Sequence, residues 1–278
     1  VDSYKGRLLF GSGETTFSSM DLLRKEIFKF NIEGITLPIA YMNRHKINNN
    51  KLKTIVDKFT SVRVCVIGDL IVDEYITCEA LGMSQEDPTV VVTPLDTSRF
   101  IGGAAIVAAH AAGLGAQVDF ISIVGNDDAH TFSKEELINS GVNSSLLVDM
   151  TRPTTVKQRF RSKGKTLLRV SHLHQSTISP ALQSSILENI KLIIDKVDLL
   201  VFSDFNYGCL PQDLVDKISS LAKNNHVMMA ADSQSSSQIG DISRFNNMDL
   251  ITPTEREARV STRNNQDGLV ILVEQLSQ

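Results

Sequence analysis

Paired cysteines are missing from this sequence. Its 278 residues contain three cysteines, which are widely spaced and form neither a CxxC motif nor a cysteine–histidine cluster: Cys65, Cys78 and Cys209. This pattern excludes a disulfide framework and gives no indication of a zinc site. A protein of the reducing cytoplasm is therefore expected.

The sequence also lacks an excess of basic charge and any long apolar run. Its formal net charge is −4, so no global basic field attracts nucleic acid or an anionic membrane. No uninterrupted apolar segment approaches the roughly 20 residues that cross a bilayer, and the start does not have the charged-then-apolar pattern of a signal peptide. We therefore expect neither a nucleic-acid partner nor a membrane association.

Strand-like and helix-like segments alternate after residue 60. Apolar runs rich in β-branched residues are typical of strands buried on both faces, and they occupy residues 63–68, 118–124, 198–203, 226–231 and 248–251. Helical spacing occupies the segments between them, at 103–114, 129–140, 180–196 and 211–223. This alternation predicts right-handed βαβ crossovers and a doubly wound, mainly parallel α/β sheet.

Two segments interrupt this alternation. Residues 75–97 contain VVVTPL, and residues 146–170 contain TTVKQRF and TLLRV around Gly164. Both predict short strands without intervening helices, and hence a small β layer that covers a site on the main sheet as a lid. Because exposed strand edges pair readily with other chains, we also predict a homodimer formed through the lid strands.

The first 60 residues have a different character. Their pattern predicts a strand, a turn and two helices, at 7–10, 11–13, 18–30 and 51–59. Residues 31–50 are polar and predict an irregular segment with a linker. A boundary is therefore expected near residue 60, with a main domain over 61–278. The first residue is Val1 rather than methionine, as in a piece of a longer protein or a processed chain.

Four aspartates follow or end predicted strands. Asp69 and Asp73 come after the first strand of the main domain, and Asp204 and Asp232 end two later strands. Carboxylates at strand ends can accept hydrogen bonds from the hydroxyls of a polar ligand, but they also serve as turn residues and helix caps. Both alternatives stay open for each residue, although two acids at the ends of neighbouring strands are more informative than one.

A glycine pair and a row of cations are further candidates. Gly102 and Gly103 precede an alanine-rich helix, where they allow either close approach of a ligand or, more commonly, tight packing of the helix. Lys157, Arg159 and Arg161 alternate along a predicted strand and therefore share one face. That face could meet a phosphate or lie at a solvated edge.

Six segments together resemble the PfkB or ribokinase family, in particular the heptose-phosphate kinase domains of bifunctional ADP-heptose synthases. They occur in the family's order across residues 62–278: GDLIVDEY, GGAA, GLGAQVDFISIVGNDD, TTVKQRF, LLVFSDFNYGCL and ITPTEREA. The resemblance implies a ribokinase-like fold and transfer of the γ-phosphoryl group of ATP to a hydroxyl of a sugar phosphate, assisted by Mg²⁺.

The same resemblance implies roles for individual residues. Asp73 would contact the sugar, while Gly102 and Gly103 would shape its pocket. Lys157 and Arg159 would approach the phosphate of the sugar. The remaining assignments are Asp204 on the substrate side, Asp232 on the nucleotide side, and Glu257 near the metal and the nucleotide phosphates.

The sequence departs from the family pattern at several of these places. Ile106 replaces the asparagine that follows the glycine pair, so a polar contact to the substrate is lost. Tyr207 and Gln234 replace lysines that are candidates for binding phosphate, and Thr254 replaces the asparagine of the NxxE motif. No GAGD segment occurs up to Gln278. Because that segment supplies the anion hole and the catalytic base, we predict no appreciable turnover by this chain.

Two functional hypotheses therefore remain. The chain is either part of a sugar-phosphate kinase whose final segment lies elsewhere in its gene, or a degenerate kinase fold that serves as a binding or assembly module. The substitutions modestly favour the module, whereas the fold and the motif order support the kinase family. Residues 5–27, with GETTFSSMDLL, resemble the closing strand, turn and helix of a nucleotidyltransferase domain, which implies that such a domain precedes the kinase in the parent protein.

Overall fold

A computed structural model describes residues 38–234 and 240–276. The elements predicted at 7–30 and the segment that resembles a nucleotidyltransferase lie outside these residues. The chain forms two compact units. The larger unit contains Asn49–Glu74, Ile101–Gln158 and the chain from Val170 onward. The described part of the smaller unit consists of residues 38–48, Tyr75–Phe100 and Arg159–Arg169.

A six-stranded sheet forms the centre of the larger unit. Its strands are β1 (Arg63–Gly68), β4 (Gln117–Val124), β5 (Asn143–Val148), β8 (Leu199–Asp204), β9 (Met228–Ser233) and β10 (Leu250–Ile251). They lie in the order β10-β9-β8-β1-β4-β5, and every neighbouring pair is parallel. The predicted mainly parallel α/β sheet is confirmed.

The connections leave β1 and β8 in opposite directions. From β1 the chain reaches β4 and β5 on one side, and from β8 it continues through β9 to β10 on the other. A crevice is therefore expected between β1 and β8 at their carboxyl ends, where open α/β sheets bind their ligands. The register aligns Gly68 with Ser203, and Ser203 with Asp232, so these strand ends reach the same edge.

Helices pack on both faces of this sheet because alternate strand residues point to opposite faces. On one face, Val64 and Val66 pack with α3 (Ala104–Gly113) and α4 (Asp128–Asn139). On the other, Cys65 and Ile67 pack with α5 (Pro180–Lys191) and α6 (Gln212–Asn224). Burial on both faces explains why β1 is apolar throughout after its first residue.

Among the residues that the structure describes, two short helices precede β1 and two follow β10. They are α1 (Ile39–Arg44), α2 (Asn49–Asp57), α7 (Glu255–Thr262) and α8 (Leu269–Leu276). Helix α1 lies in the segment that the sequence predicts to be irregular, so that prediction was wrong there. In the part of the chain that the structure describes, no helix has the length and apolar character to cross a membrane.

A second sheet has four strands in the order β3-β2-β6-β7. Its strands are β2 (Leu70–Met83), β3 (Val90–Gly103), β6 (Thr155–Ser162) and β7 (Lys165–His172). This sheet confirms the predicted additional β layer. However, β2 and β3 have 14 residues each, so they are not short. Residues 75–83 continue β2 from its start at Leu70, and residues 90–97 form the first part of β3.

The prediction that residues 146–170 belong to the additional β layer is only partly correct. Its first residues belong to β5, which extends the parallel sheet through pairs such as Phe120 with Ser144 and Val124 with Val148. The strands around Gly164 form a hairpin as expected. Lys163 and Gly164 both have positive φ angles, of 48° and 80°, which suits the tight turn between β6 and β7.

Candidate functional site

The Asp69 carboxylate organises the loop that follows β8. It accepts backbone N–H groups from Phe205 at 2.8 Å, Tyr207 at 3.3 Å and Cys209 at 3.3 Å. The loop can present alternate N–H groups to one carboxylate because Asn206 and Gly208 have positive φ angles of 59° and 90°. Such an arrangement is an anion-binding nest made by the backbone. Ligand binding and a structural role were both predicted for Asp69, and its contacts show the structural role.

Burial and a neighbouring charge perturb this carboxylate. Asp69 is only 5 % exposed. Burial, followed by the negative charge of Asp204, raises the pKa of Asp69 to about 6, although the three N–H donors act in the opposite direction. The rim of the sheet thus carries a carboxyl group that titrates close to neutral pH.

Asp73 lies directly against the glycine pair. A Cβ atom on Gly102 would come within 2.3 Å of Asp73 Oδ2, so only glycine leaves room for this carboxylate. Gly103 has a φ of +58°, and a Cβ there would lie 2.3 Å from the carbonyl oxygen of Asp69. Ala104 N–H donates to that same oxygen at 2.9 Å. The glycines therefore serve packing, and the packing places the half-buried Asp73 at the start of α3.

Asp204 is buried and engaged by protein donors. Its carboxylate accepts hydrogen bonds from the Ser233 hydroxyl at 2.8 Å and from the Asn206 N–H at 3.1 Å. It also forms an ion pair with Arg244 Nη2 at 3.2 Å, with the Asp204 side chain 2 % exposed. Arg244 donates in addition to the carbonyl oxygen of Leu210 at 2.8 Å. These contacts anchor the loop after β8, and substrate binding by Asp204 stays a prediction.

A second buried cation fixes the same loop from another direction. Arg152 Nε pairs with Asp149 Oδ2 at 2.9 Å, and both side chains are 8 % exposed. Its Nη1 donates to the carbonyl oxygen of Tyr207 at 3.1 Å, and its Nη2 donates to that of Ser176 at 2.7 Å. The sequence offers no signal for this role because the partners lie 24 and 55 residues away from Arg152.

A cavity of about 330 Å³ lies at the ends of β9 and β10. Its lining comprises Asp232, Gln234, Thr252, Thr254, Arg256 and Glu257. Asp232 accepts a hydrogen bond from Thr252 Oγ1 at 2.9 Å. Its pKa is raised by burial and by the negative charges of Glu257 and Asp204, while Thr252 acts against this shift. Both residues assigned to the nucleotide, Asp232 and Glu257, thus line one cavity.

Glu257 also completes the start of helix α7. Its Oε2 accepts the N–H and the Oγ1 hydroxyl of Thr254, both at 2.8 Å, and its own N–H donates to Thr254 Oγ1 at 3.3 Å. This reciprocal capping box explains how threonine replaces the asparagine of the family motif at no cost to the helix. Glu257 is 5 % exposed, so the cap also fixes its position.

The acidic residues of the cavity fit Mg²⁺ only as a hydrated ion. Within residues 38–234 and 240–276, no group of three or more His, Cys, Asp or Glu side chains is placed to hold a metal. Mg²⁺, however, usually keeps several waters and binds proteins through one or two carboxylates together with phosphates of a substrate. Burial is the main cause of the raised pKa of Asp232, and the negative charges of Glu257 and Asp204 add to it; a nearby cation would offset those charges.

The three predicted cations of β6 contact aromatic rings. Lys157 Nζ lies 5.2 Å from the ring centroids of both Phe205 and Tyr207. In the smaller unit, Arg159 and Arg161 lie over the Tyr75 ring, with their Cζ atoms at 5.2 Å and 5.8 Å from its centroid. The sequence identified Tyr207 as a lost cation but did not predict its contact with Lys157.

Comparisons with known proteins agree with this architecture. The chain is 32% identical over 203 residues to the bifunctional protein HldE of Helicobacter hepaticus, covering 73% of this chain and 41% of that protein. It is 31% identical over 204 residues to HldE of Desulfatibacillum aliphaticivorans, again covering 73% and 41%. The chain thus spans about two fifths of the length of these curated relatives.

Solved structures show the same fold. A carbohydrate kinase from Agrobacterium tumefaciens matches with a TM-score of 0.57 at 19% identity, covering 77% of this chain and 67% of that one. Phosphofructokinase-2 from Escherichia coli, in complex with fructose-6-phosphate, matches with a TM-score of 0.59 at 13% identity, covering 77% and 68%. The family model for pfkB family carbohydrate kinases matches residues 62–278. The chain therefore belongs to the pfkB family of carbohydrate kinases.

Proposed function

We propose that this chain binds a sugar phosphate of the heptose-phosphate type together with Mg-ATP, as the ligand-binding part of a sugar-phosphate kinase. The observation that carries the proposal is the position of four residues near the carboxyl ends of β1, β8 and β9. Asp204 and Asp232 lie in the last two residues of β8 and β9, Asp73 lies in β2 five residues after β1 ends, and Gly103 lies against the carbonyl oxygen of Asp69. This is the edge at which open α/β sheets bind ligands.

On the substrate side, Asp73 accepts hydrogen bonds from sugar hydroxyls. Its half-buried carboxylate, held against Gly102, supports this role because a fixed acceptor loses little freedom when it binds. Lys157 is the candidate cation for the phosphate of the sugar, and Arg159, two residues further along β6, is a second candidate. Asp204 acts on this side by holding the loop after β8 rather than by exposing its carboxylate.

On the nucleotide side, the cavity beside Asp232 and Glu257 receives the phosphates of ATP. Mg²⁺ bound with ATP would supply positive charge that neutralises the phosphate oxygens during transfer. The two carboxylates would hold the ion through its waters, and the exposed Arg256 side chain lines the same cavity. Gln234, in place of a lysine, leaves this cavity with less positive charge than the family pattern implies.

We expect the 278-residue chain to bind these ligands without appreciable turnover. Its sequence contains no GAGD segment, so it lacks the proposed base and the N–H groups that would stabilise developing charge. A coupled assay for ADP release, run with this chain, Mg-ATP and a heptose phosphate, should not rise above its blank. ATP-dependent phosphorylation of the sugar would contradict this expectation.

A second candidate function is a binding or assembly module that has lost the reaction. Three substitutions support it, since Ile106, Tyr207 and Gln234 each remove a polar or cationic group that the family pattern places at the site. The two functions differ in the gene that encodes the chain. A continuation that encodes GAGD favours the kinase, and a stop codon after Gln278 favours the module.

Calorimetric titration tests the proposed binding. Wild-type protein is titrated with sedoheptulose 7-phosphate and, separately, with a non-hydrolysable ATP analogue and Mg²⁺. Asp73→Asn should weaken sugar-phosphate binding at least about tenfold, since a charged acceptor is replaced by a neutral one, and should leave nucleotide binding unchanged. Asp195→Asn, at an exposed position before the amino end of β8, is the matched control. Equal affinities of the Asp73 variant and wild type would overturn the assignment.

We also propose that the protein is a cytoplasmic homodimer that pairs through its second sheet. Seven large apolar side chains on the strands and turns of this sheet are exposed, namely Leu81, Met83, Val90, Val91, Leu95, Leu167 and Leu168. Exposed apolar side chains on a sheet favour association. Sedimentation at tens of micromolar should give a dimer, and Leu95→Glu should shift it towards monomer. A wild-type monomer throughout would rule this out.

By resemblance, a nucleotidyltransferase domain precedes the kinase in the parent protein.

A further inference from the structure

Phe205 and Tyr207 form a small apolar cluster separate from the two main cores. Both rings are buried, at 9 % and 2 % exposure, and they pack with Ile71 and Leu173. Their centroids are 6.3 Å apart, and the ring planes differ by 28°. The two rings therefore present a stacked aromatic surface, which we call the aromatic platform.

The backbone beneath the platform is held from three sides. Asp69 accepts the N–H groups of both platform residues, at 2.8 Å and 3.3 Å. Asp204 accepts the N–H of the intervening Asn206, and Arg152 donates to the carbonyl oxygen of Tyr207. All three anchoring side chains are buried or nearly so. The platform consequently has a fixed position on the rim of the sheet.

Lys157 lies over this platform. Its Nζ is 5.2 Å from each ring centroid, within the range of a cation–π interaction with both. A lysine side chain ordinarily loses much rotamer freedom when it is held in one place. The rings contact the ammonium group, and the lysine side chain is only partly buried, so part of it remains accessible to solvent.

We propose that Phe205 and Tyr207 position Lys157 as the cation that binds the phosphate of the substrate. This inference rests on the proposed sugar-phosphate function and adds two positioning residues to it. Tyr207 occupies a place where the family pattern has a second lysine. A lysine there would repel Lys157, whereas a tyrosine ring attracts it, so this chain presents one fixed cation in place of two.

The position of Lys157 can be measured without any ligand. Reductive ¹³C-methylation of lysines retains their charge, and Lys157→Arg identifies the resonance of Lys157 in the NMR spectrum. Ring currents from the platform should shift this resonance upfield of the other dimethyl-lysine signals, and Tyr207→Leu should remove most of that shift. A Lys157 resonance among the solvent-exposed lysines would overturn the proposal.

Phosphate binding is then titrated against the same resonance. Inorganic phosphate and sedoheptulose 7-phosphate should both move it in the wild-type chain. Tyr207→Leu should weaken both affinities roughly three- to tenfold, and Tyr207→Phe, which keeps the ring, should remain within about twofold of wild type. Tyr41→Leu is the matched control, because Tyr41 lies under Arg44 in a comparable but exposed pair. Its affinities should equal those of wild type.

The outcomes separate this inference from the proposed function. If inorganic phosphate moves the Lys157 resonance but the sugar phosphate does not bind, the phosphate site stands and the substrate class is wrong. If the sugar phosphate binds but leaves the resonance unmoved, the role of Lys157 is overturned. Tighter phosphate binding by Tyr207→Leu would also overturn it, because the rings would then compete with the ligand. If Tyr207→Leu does not fold, Tyr207→Phe and the wild-type spectrum still decide the matter.

Discussion

The loop after β8 and the cavity at the ends of β9 and β10 lie on one rim of the sheet but treat their carboxylates differently. Asp69 accepts three backbone N–H groups, and Asp204 pairs with the partly buried Arg244. Asp232 accepts a hydrogen bond from one hydroxyl, and burial together with two neighbouring negative charges raises its pKa, as burial and Asp204 do for Asp69. The difference indicates that the first region is a completed scaffold, whereas the second is arranged to gain stability when a cation binds.

The largest expected effect comes from removing the cation of the scaffold. Arg244→Met leaves the Asp204 carboxylate buried with an unpaired charge, so the free energy of unfolding should fall by about 3–5 kcal/mol. Chemical denaturation at neutral pH measures this loss. The matched control is Glu255→Gln, which breaks an exposed ion pair with Arg259 and should cost no more than about 0.5 kcal/mol. A loss below about 1 kcal/mol for Arg244→Met would show that Asp204 does not depend on this partner.

The second effect is a dependence of stability on pH. Because the pKa of Asp69 is raised to about 6 in the folded protein from 3.8, the folded state binds more protons between these values. The contribution of Asp69 to stability is therefore full below about pH 4 and is lost as the pH rises towards and through 6. Because one pK unit corresponds to about 1.4 kcal/mol, the total loss of unfolding free energy from Asp69 approaches about 3 kcal/mol.

Asp69→Asn isolates this contribution. The unfolding free energy of wild type minus that of the variant is measured at each pH. This difference should decrease between about pH 4 and 6 and be constant above 7. Asp128→Asn, an exposed first-turn residue of α4, controls for the general loss of a negative charge. A difference that is flat with pH would mean that the three N–H donors keep the pKa of Asp69 at its ordinary value.

Adding a methyl group next to Asp73 should have a smaller effect on stability but a clear effect on binding. Gly102→Ala forces the Asp73 carboxylate to move, at a cost below about 1 kcal/mol because the group that moves is the end of a side chain, and should weaken binding of the sugar phosphate. Gly113→Ala has nothing within 4 Å of the new Cβ and serves as the control. Calorimetry and denaturation are run on both variants, and unchanged sugar-phosphate affinity in Gly102→Ala would separate Asp73 from the substrate.

The smallest expected effect lies on the nucleotide side. Because its surroundings disfavour the ionised form, Asp232→Asn should leave the free energy of unfolding unchanged or raise it by a few tenths of a kcal/mol. The same variant should lose the increase in thermal stability that Mg-ATP gives to wild type, since a ligand stabilises only the state that binds it. A large destabilisation would show that Asp232 belongs to the scaffold.

The sequence predicted the parallel sheet well because burial on both faces leaves a local signal. RVCVIG gives the bounds of β1 as observed, and the helix and strand boundaries between 103 and 233 mostly agree within two residues. The four aspartates could be placed on one edge because parallel strands end together. Strand β5 was missed because NSSLLV at the sheet edge is only half buried and resembles the adjoining irregular segment.

The contacts within the site could not be predicted in this way. Asp69 and its three N–H donors are separated by 136 to 140 residues, and Arg244 and Asp204 meet only after the sheet has formed. Tyr207 illustrates the limit most clearly. Its identity as a departure from the family pattern was visible in the sequence, but its contact with Lys157 depends on how a strand of one segment lies against a loop of another.

The nest around Asp69 has a consequence for the side chains that it carries. The three hydrogen bonds described between this carboxylate and the loop come from main-chain N–H groups, so this anchoring does not depend on which side chains stand at 205, 207 and 209. Position 207 can therefore exchange a charged side chain for an aromatic one while the loop keeps its path. The fold thus provides an interchangeable position beside the crevice, at which ligand preference can be altered without rebuilding the sheet.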